Sequence, residues 1–437
     1  MTNTSAVTTT DLARRGGQAL FPDGSRVLAR LFQPGQELLG PGISRAEAII
    51  ARVLRLSDAE VSSTLASVLR RFGNRHRDLT AIFATHSAVV EQLLPAVLTA
   101  DRRQLIGACF TQEYAVEAAA LFNPSMVAHP DQTGLAPGEL RFVMSVRALG
   151  EGHISSIEFR TGVLAGGDSI RLNTPTPFLE AGRITRSTAG NYTVTFPADR
   201  PMSERILFPA GADETHGIED ARFTRFTESD GKVTYFATYT AFDGGRVAPR
   251  LLHTNDFVTF DSTRLDGGGA TDKGMALFPR RVDGQYLMLS RWDRENISVV
   301  SSPDARAWSD PVTIYRPTQP WELIQLGNCG PPIETPSGWL VLTHGVGPVR
   351  TYGIGAILLD LDDPTRVIGA LRQPLLAPTE TERDGYVPNV VYSCGALVHQ
   401  ATLVLPYGCS DSAIRFAFVD MPTLLQRLTA AGPPAIS

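Results

Sequence analysis

The chain reads as a mainly β protein, a five-bladed β-propeller with an N-terminal α-helical extension. Three observations predict this. From Leu121 onward, Gly and Pro are frequent and short strands alternate with turns. Five of those strands, Arg141–Val146, Val233–Tyr239, Tyr286–Ser290, Trp339–Thr343 and Thr402–Pro406, each follow a turn-like pair. The pairs also recur at near-regular intervals: Gly231 to Gly284 is 53 residues, Gly284 to Gly338 is 54 and Gly338 to Gln400 is 62. Hairpins repeating every 50 to 60 residues are the signature of propeller blades, and five hairpins imply five blades. The interval from Gly138 to Gly231, 93 residues, leaves room for an insertion. A pair of β-sandwiches is the alternative arrangement.

Taken in order, residues 1–42 form an N-terminal tail and lead-in, beginning with a polar, Thr/Ser-rich stretch that lacks the apolar core of a secretion signal. Residues 43–120 form the helical extension. Ser44-Arg45-Ala46-Glu47 and Ser57-Asp58-Ala59-Glu60 are capping-box patterns, and apolar residues follow at helical spacing: Ile50, Val53 and Leu54, then Val61, Leu65, Val68 and Leu69. A further helix carries Leu79, Ile82, Phe83, Val90, Leu93, Leu94 and Val97, with His86 on its apolar side as a satisfied core histidine. This block concentrates no chemistry and reads as a packing or oligomerisation layer, so a homo-oligomer built through it is an expected partner. Residues 121–437 form the propeller, expected to be catalytic.

Composition bounds the function. The 437 residues are 43% apolar and 19% charged, enough for a large core. A net charge of -5 with no Lys/Arg run excludes nucleic acid as a partner, and no apolar run reaches the roughly 18 residues of a membrane span. Cys109, Cys329, Cys394 and Cys409 are widely spaced without a CxxC, which argues against a zinc site or disulfide framework and for reduced thiols in a cytoplasm. No nucleophile elbow, P-loop, dinucleotide fingerprint or HExxH is present, and neither a cofactor nor a metal is expected.

The densest chemistry lies in Gly217-Ile218-Glu219-Asp220-Ala221-Arg222-Phe223-Thr224. On an extended segment, Glu219 and Asp220 point to opposite faces, and Arg222 lies on the side of Asp220, able to hold that carboxylate ionised. Polar clusters recur beside the other strands: Asn123, Arg147 and His153 in the first blade; Tyr239 and Asp243 in the second; Lys273, Arg291 and Glu295 in the third; Asn328, Glu334 and His344 in the fourth; Tyr386 in the fifth. Asp243-Gly244 also has the look of a turn cap. Carboxylates, amides, guanidinium groups and rings converging on one polar funnel suit a sugar, whose hydroxyls want paired donors and acceptors and whose ring face wants an aromatic platform. Glycosidic cleavage adds the need for an acid and a second carboxylate.

Eight ordered stretches carry a resemblance over residues 120–420: Phe122–Ser125, Gly217–Thr224, Tyr239–Gly244, Lys273–Pro279, Gly330–Ile333, Gly338–Val346, Leu358–Val367 and Gly385–Val391. In these the chain resembles glycoside hydrolase family 130, the β-mannoside phosphorylases and β-mannosidases. The resemblance implies a five-bladed propeller, action at the non-reducing end of β-mannosides, and Asp220 as the family's catalytic aspartate. In the phosphorylases that aspartate acts through a sugar hydroxyl while inorganic phosphate attacks with inversion. It also implies that His344 and Tyr352 help hold phosphate. Two positions depart from the phosphorylase pattern: Lys273 is followed by Gly274 rather than Asn, and Gln325 stands where a Lys is expected. Glu295 and Glu334 fit the extra acids of the hydrolytic branch. The expectation is therefore an inverting β-mannosidase acting on β-1,2-linked manno-oligosaccharides, with Asp220, Glu295 and Glu334 as its catalytic residues. Asn123, Arg147, His153, Arg222, Tyr239, Asp243, Lys273, Arg291, Asn328, His344, Tyr352 and Tyr386 are the expected substrate ligands. The alternatives are a phosphorylase, with inorganic phosphate as a partner held by Lys273, Arg246 or Arg250 and His344, and a non-catalytic glycan-binding propeller.

Overall fold

The computed structural model describes residues 12–35, 42–186 and 190–434. The chain divides into two compact units, one of residues 23–116 with 176–180 and one holding the remainder.

The smaller unit is mostly helical. Ser44 and Ser57 cap the helices Arg45–Leu54 and Asp58–Phe72, each accepting from the backbone three residues on while Glu47 or Glu60 reaches back to the cap. Ile50, Val53, Val61, Leu105, Ile106 and Phe110 close its main core. The third helix is shorter than its apolar spacing predicts. It stops at Val89, a 3-10 turn covers Glu91–Leu93, and Val97 is 89% exposed, because Pro95 denies the helix a backbone donor just beyond. His86 accepts or donates to the Thr111 hydroxyl at 2.7 Å, as expected of a satisfied histidine. A strand pair, Val27–Leu31 with Thr111–Ala115, brackets the helices in sequence. Among the described residues no helix is long and apolar enough to cross a membrane.

The larger unit is mainly β, built from five successive antiparallel sets. The first holds Ala120–Ala128, Leu140–Leu149 and Ser155–Leu164. The second holds Gly217–Thr227, Val233–Phe242, Val247–Thr254 and Thr259–Arg264. The third holds Ala276–Leu277, Tyr286–Ser290, Ile297–Ser302 and Val312–Tyr315. In the fourth, Gln325–Asn328 and Ile333–Thr335 both pair with Gly338–Gly347, which Thr351–Leu359 and Val367–Ala370 follow. In the fifth, Val391–Tyr392 and Leu397–His399 pair with Thr402–Cys409, and Ala413–Asp420 comes next. Each of the five strands expected after a turn-like pair is second in the pairing order of its set, the first place being shared in the fourth and fifth sets by two short strands.

The outer strand of the fifth set is Ala13–Leu20, paired with Ala413–Asp420. These residues were expected in a lead-in segment. Their sequence, ARRGGQAL, shows no apolar alternation because most of its residues are exposed or half-buried and neither face is set wholly on a core. The long interval between the first two hairpins holds the expected insertion, including Tyr192–Thr195, which extends the edge of the second set.

Apolar side chains fill the spaces between successive sets: Phe159 and Phe223 between the first and second, Phe226 and Met288 between the second and third, Phe278 and Trp339 between the third and fourth, Leu342 and Leu405 between the fourth and fifth. Strands of the fifth set also touch Ala120–Ala128 of the first. The second, third and fourth sets are thus covered on both faces, as two-sided apolar burial requires.

Candidate active site

Asp220 owes its position to one extra residue. Along Gly217–Thr227, Glu219 faces Thr240 but Arg222 faces Thr238, so three steps on one strand match two on its neighbour. This bulge puts Asp220 in the left-handed region, φ 54°, which acidic side chains tolerate better than most. The expected alternation therefore fails: Glu219 and Asp220 both reach Arg147, which donates to Glu219 Oε1 at 2.7 Å and to Asp220 Oδ1 at 3.2 Å. Asn123 sits in an equivalent bulge of the first set, φ 50°, and its amide donates to Asp220 Oδ1 at 2.7 Å. Burial pushes the Asp220 carboxyl up, but the charges of Arg147, Arg222 and Lys273 and the Asn123 amide outweigh it and hold it below the usual range.

Arg222 does not clasp Asp220 as expected. It is fully buried and donates to the carbonyls of Gly274 and Asn328 at 2.9 and 3.2 Å and to the Tyr392 hydroxyl at 2.7 Å. It ties three strand sets together beneath Asp220 and acts on that carboxylate through its charge.

Above lies a cavity of about 710 Å³. Seven of the expected residues line it: Asn123, Arg147, Asp220, Lys273, Arg291, His344 and Tyr352. Arg291 is 8% exposed, yet among the described residues no carboxylate stands within 4.0 Å of it. One of its Nη groups donates to His344 Nε2 at 3.1 Å and its Nε has no hydrogen-bond partner. Burial, then the charges of Arg291 and Arg222, hold His344 well below the ordinary histidine range, so it stays neutral with Nε2 as acceptor. Tyr352 stacks on its ring at 6.0 Å. Lys273 lies 3.8 Å from Glu219.

Arg246, expected to hold phosphate in the phosphorylase alternative, also lines the cavity, whereas the other wall residues were not among the expected ligands. Arg246, Arg294, Arg350 and Asp411 all come from connections between the second and third strands of their sets. Burial, reinforced by Asp220, pushes the Asp411 carboxyl up to about 6. Tyr392, Asp272 and Gln325 complete the polar wall. Superimposing the five hairpins in sequence would have pointed to these turns; nothing in each lone charged residue does.

The remaining expected residues stand elsewhere. Glu295 is exposed in a turn, outside the cavity lining. Glu334 takes three contacts from Arg280, two of them at 2.8 and 2.9 Å, and lines a different cavity beside Pro331 and Leu397. Neither is brought to Asp220, because each follows its strand to a face that the pattern of acids did not reveal. Tyr239 is buried in a network with Glu214 and Ser262, both at 2.6 Å. Asp243 caps the backbone of Gly245 and Arg246, which fixes the turn that presents Arg246. Asn328 is buried beneath the cavity with Arg222 on its carbonyl. His153 and Tyr386 are exposed, rings 6.1 Å apart, and do not line the wall. Arg250 is buried against Asp213, not at the cavity. Among the described residues no group of three or more His, Cys, Asp or Glu is placed to hold a metal ion.

Several known proteins are similar to this chain. A family model described as β-1,4-mannooligosaccharide phosphorylase matches residues 186–429. A 1,2-β-oligomannan phosphorylase of Thermoanaerobacter sp. is 35% identical over 229 residues, 50% of this chain and 74% of that protein. A β-1,2-mannobiose phosphorylase of Listeria innocua is 32% identical over 256 residues, 56% of this chain and 68% of that protein. The solved structure of a Listeria innocua β-1,2-mannobiose phosphorylase with β-1,2-mannobiose superimposes with a TM-score of 0.53 at 22% identity, covering 72% of this chain and 93% of that one.

Proposed function

The chain belongs to glycoside hydrolase family 130, and from that premise we propose that it is an inverting β-mannoside phosphorylase acting on β-1,2-linked manno-oligosaccharides. The observation that carries this is Arg291. A guanidinium that is buried, lacks a carboxylate and faces a cavity is costly unless an anion completes it. Lys273 stands on the same wall, and neutral His344 and Tyr352 offer further polar contacts. Inorganic phosphate is the anion such chemistry would use. The two relatives above, both enzymes of β-1,2-mannosides by name, support the linkage.

In this mechanism Asn123, Arg147 and Asp220 seat the terminal mannose. A phosphate oxygen held by Arg291 bonds to the anomeric carbon from the face opposite the aglycone, and the glycosidic C–O bond breaks. The leaving oxygen takes a proton. Overall, hydrogen phosphate and mannoside give α-mannose 1-phosphate and a free hydroxyl, the phosphate's proton ending on the aglycone. Asp220 is held ionised, so it orients a sugar hydroxyl that relays this proton rather than donating one directly.

Hydrolysis loses its support in the same geometry. The acid and base it needs were assigned to Glu295 and Glu334, and both are outside the cavity. We further propose that the five sets are the blades of a propeller. What supports it is the contact of each set with the next, the contact of the fifth with the first, and the supply of the cavity wall by turns from several sets.

Incubation with β-1,2-mannobiose, with and without inorganic phosphate, tests the function. Mannose 1-phosphate formed only with phosphate is expected; free mannose in both would overturn it.

A further inference from the structure

The turn that follows Arg291 carries a second arginine whose surroundings assign it a role. Arg294 lines the cavity, with φ 69° in the left-handed region. Its turn is pinned on all sides. Asp293 accepts from the backbone of Glu295 and Asn296 at 3.1 and 2.9 Å and from the Asn296 amide at 2.6 Å. The Arg294 backbone N–H donates to the Arg291 carbonyl at 3.1 Å, and the Glu295 carbonyl accepts from Leu326 at 3.1 Å. The turn is therefore fastened both to Arg291 and to the strand that carries Gln325.

The side chain is anchored too. Arg294 Nε lies 3.2 Å from Asp272 Oδ1, next to Lys273. Asp272 is nearly buried, 9% exposed, and its other oxygen has no partner, whereas the Arg294 side chain is 74% exposed. The closest approach is through Nε. Neither Nη nitrogen donates a hydrogen bond among the described residues. A guanidinium held by Nε with its outer edge open is preorganised for two-point binding of a tetrahedral oxyanion.

We propose that Arg294 is a phosphate-binding residue of this chain, held in place by Asp272, and that it supplies the positive charge which neutral Gln325 does not. Phosphate then sits between Arg291 and Arg294, with Lys273 beside it. The inference rests on the phosphorylase assignment above and adds to it the residue that sets affinity for the anion. An exposed arginine is well placed for this because it can follow the anion in and out while its anchor stays fixed.

The test is steady-state phosphorolysis of β-1,2-mannobiose with phosphate and mannobiose varied separately. In Arg294→Gln, loss of one charge-assisted contact predicts that KM for phosphate rises about tenfold, while KM for mannobiose stays within about twofold. Adding Gln325→Lys to that variant restores a cation from the neighbouring strand and is expected to recover most of the phosphate affinity. A merely structural role for Arg294 would shift both KM values or kcat and would not be rescued by a lysine at 325. An unchanged KM for phosphate in Arg294→Gln overturns the inference and leaves the phosphorylase assignment standing. Wild-type protein that releases free mannose regardless of phosphate overturns both.

Discussion

Replacing Asp411 by Asn should make the protein more stable at alkaline pH while damaging its activity. Asp411 lines the cavity, and its carboxyl is pushed from the ordinary 3.8 up to about 6, first by burial and then by Asp220. A raised acid is stabilising to the fold only while protonated. Below about pH 4 the folded and unfolded chains both carry the proton and the group is neutral in its effect. As pH rises from there through 6, the unfolded chain releases its proton first, and folding loses stability until both states are ionised. The whole difference corresponds to about 3 kcal/mol at 1.36 kcal/mol per tenfold change in acidity. The residue keeps some contact with solvent, so about 1–2 kcal/mol is the reasonable expectation. Asn fits the left-handed backbone at this position, φ 48°, as readily as Asp. Urea unfolding of wild type and Asp411→Asn at about pH 8 and about pH 4.5 measures the effect. The variant should gain most at the higher pH and only about a third as much at the lower. Equal stability at pH 8, or an equal loss at both, would refute a carboxyl raised by burial.

Three other outcomes are expected. Arg291→Gln removes an uncompensated buried charge, so it should raise KM for phosphate at least about tenfold without lowering the unfolding free energy, as titration of phosphate and urea unfolding will show. Arg147→Met removes the cation that Glu219 and Asp220 share and leaves them only Lys273 and the Asn123 amide; it should cost about 3 kcal/mol by urea unfolding and abolish turnover. Glu295→Gln and Glu334→Gln should each keep kcat within about twofold, with Glu334→Gln losing no more than about 1 kcal/mol from its exposed pair with Arg280.

The sequence displays backbone punctuation better than side-chain direction. The capping serines, the Asp243 turn and the second strand of every set were legible because each depends on a few neighbouring residues. Arg222 was legible as important but not in its role, since its partners Gly274, Asn328 and Tyr392 lie far along the chain. The bulge at Asp220 reverses a side chain that alternation sends the other way, and no residue in Gly217–Thr227 announces it. Glu334 shows the same limit. Its identity fits an acid in a site, but its direction is set by Arg280 and by the strand that Trp339 occupies. Asp411 and Arg350 are single charged residues in turns, visible as site residues only once several turns share one wall.

The origin of the oxygen on the released mannose tests the central claim most directly. Mannobiose and ordinary inorganic phosphate are incubated in heavy-oxygen water, and the products are weighed by mass spectrometry. Attack by phosphate held at Arg291 predicts mannose 1-phosphate with no label on its anomeric oxygen. Two free mannoses per mannobiose, with no mannose 1-phosphate, would mean that water is the nucleophile and would contradict the account.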